Sequence, residues 1–214
     1  MNVVQNQVGA TAKKFQFVGG ELCLDFCNSV GGKRGVRPRE YLNSYQDFVS
    51  WSEQAALLDA GRAHELLRRA THRPSTGAAA LKRAIRLREA IYRIFLSLGE
   101  NKKPAEDDIG ELNVELGCSL NRLRVSPGKN GFGWEWNADA IEVDYPLGPI
   151  ARSAADLLTS GRALENIRQC QGDNCGWLFL DSSKNHSRCW CDMRDCGNRA
   201  KVRRHRLRKK HSDG

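Results

Sequence analysis

The strongest constraint on how this chain can fold lies in four cysteines near its end. Cys170 and Cys175 enclose four residues, a fifteen-residue spacer follows, and Cys191 and Cys196 enclose four more. Two short cysteine pairs at this separation are the pattern of a four-thiolate zinc site. Two ligands in one tight loop reach a single ion only if the chain turns back between them. Gly172-Asp173-Asn174 supplies that turn in the first pair, and Arg194-Asp195 precedes Cys196 in the second. A module this small cannot bury enough apolar area to fold alone, so zinc is expected to supply much of its folding free energy. Four thiolates leave no coordination position open, which makes the expected zinc structural rather than catalytic.

Cys189 competes with Cys191 for the third position, and strand geometry does not choose between them, because residues two apart share a face. The symmetric spacing favours Cys191. His186, His205 and His211 are alternative ligand types, but they sit in an expected turn and in a basic run. The chain has eight cysteines and no apolar leader after Met1, so a reducing, cytoplasmic setting is expected. Cys23, Cys27 and Cys118 then read as buried free thiols.

Charge is concentrated behind the last cysteine. Residues 194–214 hold nine Lys and Arg against Asp195 and Asp213, which is +7 of the total +9 and leaves +2 for the preceding 193 residues. From Asn198 to Lys210 no residue breaks a helix. Its large apolar residues, Val202 and Leu207, are five apart and do not make a stripe. Such a helix cannot be core; it is an exposed basic surface, which suits a polyanion. A solvated tail that only aids solubility is the plainer alternative. Against it stands position, since zinc would hold the start of this helix rigid.

Upstream, hydrophobic content of 40% over 214 residues allows a sizeable core, and no apolar run approaches membrane-spanning length. Phe15–Val18 alternates and meets Gly19-Gly20, which predicts a strand and turn; residues 21–26 read as its partner, although residues 27–30 could open a helix. Residues 31–38 read as a loop. Ser44 is a helix cap ahead of Phe48, Trp51, Ala55 and Leu58, and helical character continues from Ala60 to Ala70. Residues 74–77 break it, and Thr76 or Gly77 opens the clearest helix. There Leu81, Ile85, Leu87, Ile91, Ile94, Phe95 and Leu98 form the stripe, with Lys82, Arg83, Arg86, Arg88 and Glu89 mostly opposite. Gly99 stops it. Pro104 starts the next helix. Residues 123–125, 131–136 and 141–143 read as strands with turns at Pro127-Gly128 and Asn137-Ala138. Ile150–Ser160 is a last apolar helix. Within the cysteine spacer, residues 177–180 and 188–190 are expected to pair as a hairpin. The architecture is therefore α+β: residues 1–165 form a mainly helical body with a small antiparallel sheet, and residues 166–214 form a treble-clef-like zinc module.

No phosphate loop, nucleophile elbow, metalloprotease helix or paired-carboxylate motif occurs, and His64 and His72 stand alone. The body therefore reads as a sensing or dimerising domain and not as an enzyme. Asp25 and Asn28 are its most pointed residues. They suit a small ligand with Arg34 or Arg37 nearby, or, more simply, a helix cap and a local hydrogen bond.

The cysteines together with Phe179, Asp181, Ser183, Asn185, Ser187-Arg188, Trp190, Met193 and Cys196-Gly197-Asn198-Arg199-x-Lys201 resemble the CGNR zinc finger. Gly19-Gly20-Glu21-Leu22-Cys23-Leu24-Asp25-Phe26-x-Asn28-Ser29 and Trp51 resemble the ABATE domain that precedes it. The resemblance puts Cys191 in the ligand position. Cys189 stands where a basic residue is usual, and Ser29 where Thr is. It implies a stress-induced bacterial transcription regulator holding one Zn2+. DNA is then the expected partner, with a small-molecule effector or homodimerisation for the body and no membrane. Arg199 and Asn198 are the expected base readers, Lys184 and Arg188 the backbone grips, and Lys201, Arg203, Arg204, Arg206 and Arg208 the phosphate contacts. RNA binding, with Trp177 and Trp190 stacking bases, is one alternative. A small-molecule protein or enzyme localised by its tail is the other.

Overall fold

The computed structural model describes residues 13–128, 131–137, 142–161 and 164–212. A long helix, α4 (Pro74–Gly99), is the axis of the body. Around it pack α1 (Leu22–Cys27), α2 (Tyr45–Gln54), α3 (Ala60–His72), α5 (Glu106–Ser119) and α6 (Leu147–Thr159). Leu87, Ile91, Ile94 and Phe95 of α4 meet Leu24, Phe26, Trp51, Leu112, Ile150 and Leu157 in one core. A helix of 26 residues, about 39 Å long, gives all these elements a common surface.

Local chemistry sets several boundaries. Ser44 accepts from the Asp47 backbone N–H while the Asp47 carboxylate accepts from that of Ser44, a complete capping box that starts α2. Asp59 caps α3 separately, through the N–H of Arg62. Pro74 itself opens α4, where its missing N–H costs nothing, so residues 74–77 are the first turn of that helix and not a break before it.

Among the described residues the strands form three separate two-stranded antiparallel ribbons. β1 (Val30–Gly31) pairs with β2 (Arg39–Glu40), β3 (Leu123–Gly128) with β4 (Gly131–Trp136), and β5 (Ile167–Gln169) with β6 (Leu178–Leu180). Pro127-Gly128 ends β3 and does not turn. Glu142 and Val143 lie outside any strand; Ile141 and Ala138, in an expected strand and turn, lie outside the described residues. Register places Leu123, Val125, Pro127, Phe132, Trp134 and Trp136 on one face of the β3–β4 ribbon. Phe132 is 80% exposed there.

The expected strand pair at 15–26 does not form. The Gln54 amide accepts from the Phe15 N–H and donates to the Lys13 carbonyl, so a side chain takes the place of a strand partner. Residues 22–27 are helical and buried nearly all round between α4 and α6, so no face-to-face period shows. Arg88 reverses its expected place. It is 2% exposed and donates two hydrogen bonds to Glu40, at 2.8 and 2.7 Å, with Glu89 and the Ser29 hydroxyl completing its shell. Cys118 is exposed on α5, whereas Cys23 and Cys27 are buried.

Candidate metal centre and basic helix

The first cysteine pair is shaped by a turn in which the Cys175 N–H donates to Gly172 O at 3.0 Å. A Cβ on Gly172 would lie 3.2 Å from both Cys175 Cβ and Cys196 Sγ, so glycine lets the pair close. The second pair is shaped by Asp192, which accepts from the Arg194 N–H at 2.7 Å and starts a π-helical turn, Met193–Gly197. That turn carries Cys196 and leads directly into α7 (Asn198–Ser212).

The sulfurs of Cys170, Cys175, Cys191 and Cys196 all lie within 4.8 Å of one another, and all four residues are buried. A tetrahedron with Zn–S near 2.3 Å has S–S edges of about 3.8 Å. Cys175–Cys191 measures 3.8 Å and Cys191–Cys196 measures 3.6 Å. Backbone N–H groups of Gly172 and Cys191 point at Cys170 Sγ, at 3.5 and 3.3 Å. The hydrogen bond with Cys170 raises the Cys175 thiol and lowers that of Cys170, while both neighbours raise Cys191. Sulfurs this crowded ionise together only around a cation. The four cysteines are thus positioned to bind one zinc ion, and Cys189, exposed to solvent in part, stands outside the cluster.

The spacer folds differently from the expected hairpin. β6 pairs back to β5, ahead of the knuckle, while residues 188–190 run beside it with Gln171 N–H donating to Cys189 O. Asp181, 1% exposed, explains the change. Its carboxylate accepts from the Ser183 hydroxyl and N–H and from the Arg188 N–H, which removes those groups from strand pairing.

The module is seated on the body by polar bonds as well as core contacts. The Asn28 amide does the work of a strand edge: it donates to Leu178 O at 2.8 Å and accepts from Leu178 N–H at 2.9 Å. Trp177 Nε1–H donates to Val30 O, Gly176 N–H to Gly32 O, and Tyr92 bridges Gln169 and Gly176 O. Ile167 and Leu178 join the main core, and Gly99 lets the chain approach, since a Cβ there would lie 2.4 Å from Ile167 O. Sequence reading missed Tyr92, Gln169 and Trp177 in this role because their partners are backbone atoms or lie far away in the chain.

Expected site residues fall into two groups. Asp25 accepts from Gly19 N–H at 2.7 Å, and burial raises its carboxyl to about 6. Arg34 pairs with Glu89 and stacks on Tyr92. Arg188 stacks on Phe179 and donates to the carbonyls of Val18, Trp190 and Cys191, so it braces the module. Asn198 donates to Arg194 O. Arg199 reaches Asp195 and Cys196 Sγ, and Arg203 reaches Asp173. These are tethers. Lys184, Lys201, Arg204, Arg206 and Arg208 are exposed and have no charged partner among the described residues. Helical spacing puts Lys201, Arg204 and Arg208 on the side of α7 opposite Arg199 and Arg203. Val202 and Leu207 are half-exposed, as a helix without an apolar stripe requires. Trp177 and Trp190 pack on the cysteine cluster.

A helical body carrying a four-thiolate zinc finger with a basic helix is the class that fold and site define. The chain belongs to the ABATE family, described as "putative stress-induced transcription regulator", which matches residues 20–161; the CGNR zinc finger matches residues 166–209. Neither is an enzyme family. No curated relative matches the chain. Among the described residues no helix is long and apolar enough to cross a membrane.

Proposed function

We propose that this protein is a zinc-dependent, duplex-DNA-binding transcription regulator that places α7 against the phosphate backbone and major groove. One observation carries the reading. α7 holds eight Lys and Arg and no acidic residue, and its start is tethered to the metal centre through Arg199 and Cys196. Rigid anchoring of a cationic helix gives a defined register on a polyanion, which a loose tail does not need. Arg199 and Arg203 act as positioning residues, the stripe of Lys201, Arg204 and Arg208 meets the DNA, and Arg206, which helical spacing puts on the Arg199 side, adds a cation at the flank. Lys184 adds a backbone contact from the loop. The body acts as a sensor and not as a catalyst, and the link to stress follows the family description.

Full-length, zinc-loaded protein should select a sequence from random duplex DNA. Its log Kd should change with log salt by about 0.9 per phosphate neutralised. The triple variant R204A/R206A/R208A should lower affinity and reduce that slope by about 2–3. Unchanged affinity in this variant would sink the reading. Stronger competition by structured RNA than by duplex DNA at equal salt would transfer it to RNA.

A further inference from the structure

Two cavities of similar size carry an excess of cations, and they differ in how that charge is met. The first, about 570 Å3 between α3, α4 and residues 142–144, is neutralised in part by its own Glu142 and Asp144 and by Glu65 beside it, with Arg73 on its wall lacking a charged partner among the described residues. Arg83 and Arg122 pair with Asp144, Arg69 with Glu142, and Arg68 with Glu65. The second is a cleft of about 620 Å3 at the seam between body and zinc module. Its cations are Lys13, Lys14, Arg37, Arg39 and Arg199, and Asp195 is its one lining carboxylate among the described residues. Asp47 holds Lys13, and Asp195 with Cys196 Sγ holds Arg199. Arg39 lies over the Tyr41 ring, and Lys14 and Arg37 have no side-chain partner among the described residues. The remaining walls include Tyr41 and Trp177 and three of the zinc ligands, Cys175, Cys191 and Cys196, whose thiolates offset part of the cationic charge at the floor and leave Lys14 and Arg37 as the cations not already engaged.

From this contrast we infer that the seam cleft is a binding site for a small organic anion, a carboxylate or phosphate ester on a flat apolar body. The inference rests on the regulatory reading above and gives its sensor a place. The volume is in the range of ligand pockets, 300–1,000 Å3 being about the usual span, and concave cavities with a few convergent polar groups are where such ligands bind. Unpaired guanidinium and ammonium groups supply the anion contact, and Tyr41 and Trp177 flank the apolar part. Asn28 also lines the cleft, with its amide already spent on Leu178; Asp25 does not line it. The walls come from both parts of the chain, so the site is complete only while the module is seated on the body. An anion bound there stabilises the seated arrangement by mass action and thereby the orientation of α7.

The test uses full-length, zinc-loaded protein with phenyl phosphate and benzoate as probes and benzyl alcohol as the neutral control. The reporter is the NMR signal of the Trp177 indole N–H, which sits on the cleft wall. Both anions, or one of them, should shift it saturably with Kd in about the millimolar range or tighter, and benzyl alcohol should not. Charge reversal in K14E/R37E should weaken that binding about tenfold or more, whereas R204A/R206A/R208A should leave it within about twofold. Both variants should retain zinc and native circular dichroism. Absence of saturation in the wild type overturns the inference, as does probe binding lost in the α7 variant and kept in K14E/R37E. A K14E/R37E variant that loses DNA affinity while probes never saturate makes the cleft part of the DNA face and also overturns it. Wild-type DNA affinity in the same buffer separates the two readings. Probe binding without DNA binding keeps the site and rejects the regulator, and the reverse outcome does the opposite.

Discussion

Body and zinc module are held by different forces, and the contrast explains why each looks as it does. Around α4 the body buries a continuous apolar core, and it uses charge in specific knots: Arg88 with Glu40 and Glu89, and Arg83 with Glu115 and Asp144. Among the described residues the module's own cluster buries Phe179 and the four cysteines, with Val18, Trp177 and Trp190 packed against them. Its shape rests on the metal, on the Asp181 carboxylate and on backbone bonds to the body. α7 goes further: none of its described side chains is buried, and Arg199 and Arg203 in its first two turns tie it to Asp195, Cys196 and Asp173. The lesson is that local rigidity and local burial are separate properties. Metal and hydrogen bonds make the module rigid where apolar area cannot.

Removing a zinc ligand should break the comparison most severely. Structural zinc contributes on the order of 10–16 kcal/mol at neutral pH. Cys175→Ser should therefore abolish stoichiometric zinc and the amide protection of residues 170–212, while α4 and α6 stay protected in hydrogen exchange. Loss of protection throughout would show that body and module are one cooperative unit. Arg88→Met tests the body's polar knot in turn. It leaves Glu40 and Glu89 without their buried cation and should cost about 3–5 kcal/mol in urea unfolding.

Asp25 sharpens the same contrast through pH. Its folded pKa, about 6 because burial disfavours the charge, lies above the ordinary 3.8. The folded state therefore holds the proton more tightly between those values. Stability should fall as pH rises from about 4 to about 6, by up to about 3 kcal/mol, and then level off. Asp25→Asn keeps an acceptor for Gly19 N–H and should remove that slope, which unfolding at pH 5 and pH 8 will measure. Asn28→Ala should cost about 2 kcal/mol by stranding the Leu178 backbone groups, and faster proteolysis between body and module should accompany it. Smallest is the effect of R204A/R206A/R208A on stability, within about 0.5 kcal/mol, since these side chains touch nothing that folds the chain.

Some of this was legible in the residues. Ser44 ahead of the helical spacing of Phe48 and Trp51 identified its cap, because a cap and the first turns it starts are written within a few residues. The four cysteines and the exposed character of α7 were equally local, one a matter of ligand spacing and the other of a missing apolar stripe. Where partners come from afar, reading failed for a physical reason. Residues 22–27 form a helix because surrounding helices enclose them, and no periodicity survives complete burial. Arg88 lies inward because Glu40 lies opposite it, 48 residues away in the chain.

What the sequence determined by itself, then, is the chemistry of the metal centre, the helical body and the charge of the last helix. These follow from neighbours within a few residues and from composition. Tertiary structure decided that β6 pairs with β5, that Arg188 braces the module through Val18 O, and that Asn28 clamps it. It also decided that Lys14 and Arg37 share one cleft with Trp177. Each of these depends on atoms more than ten residues apart, or on a competition for backbone hydrogen bonds such as the one Asp181 wins, and folding alone brings those groups within reach.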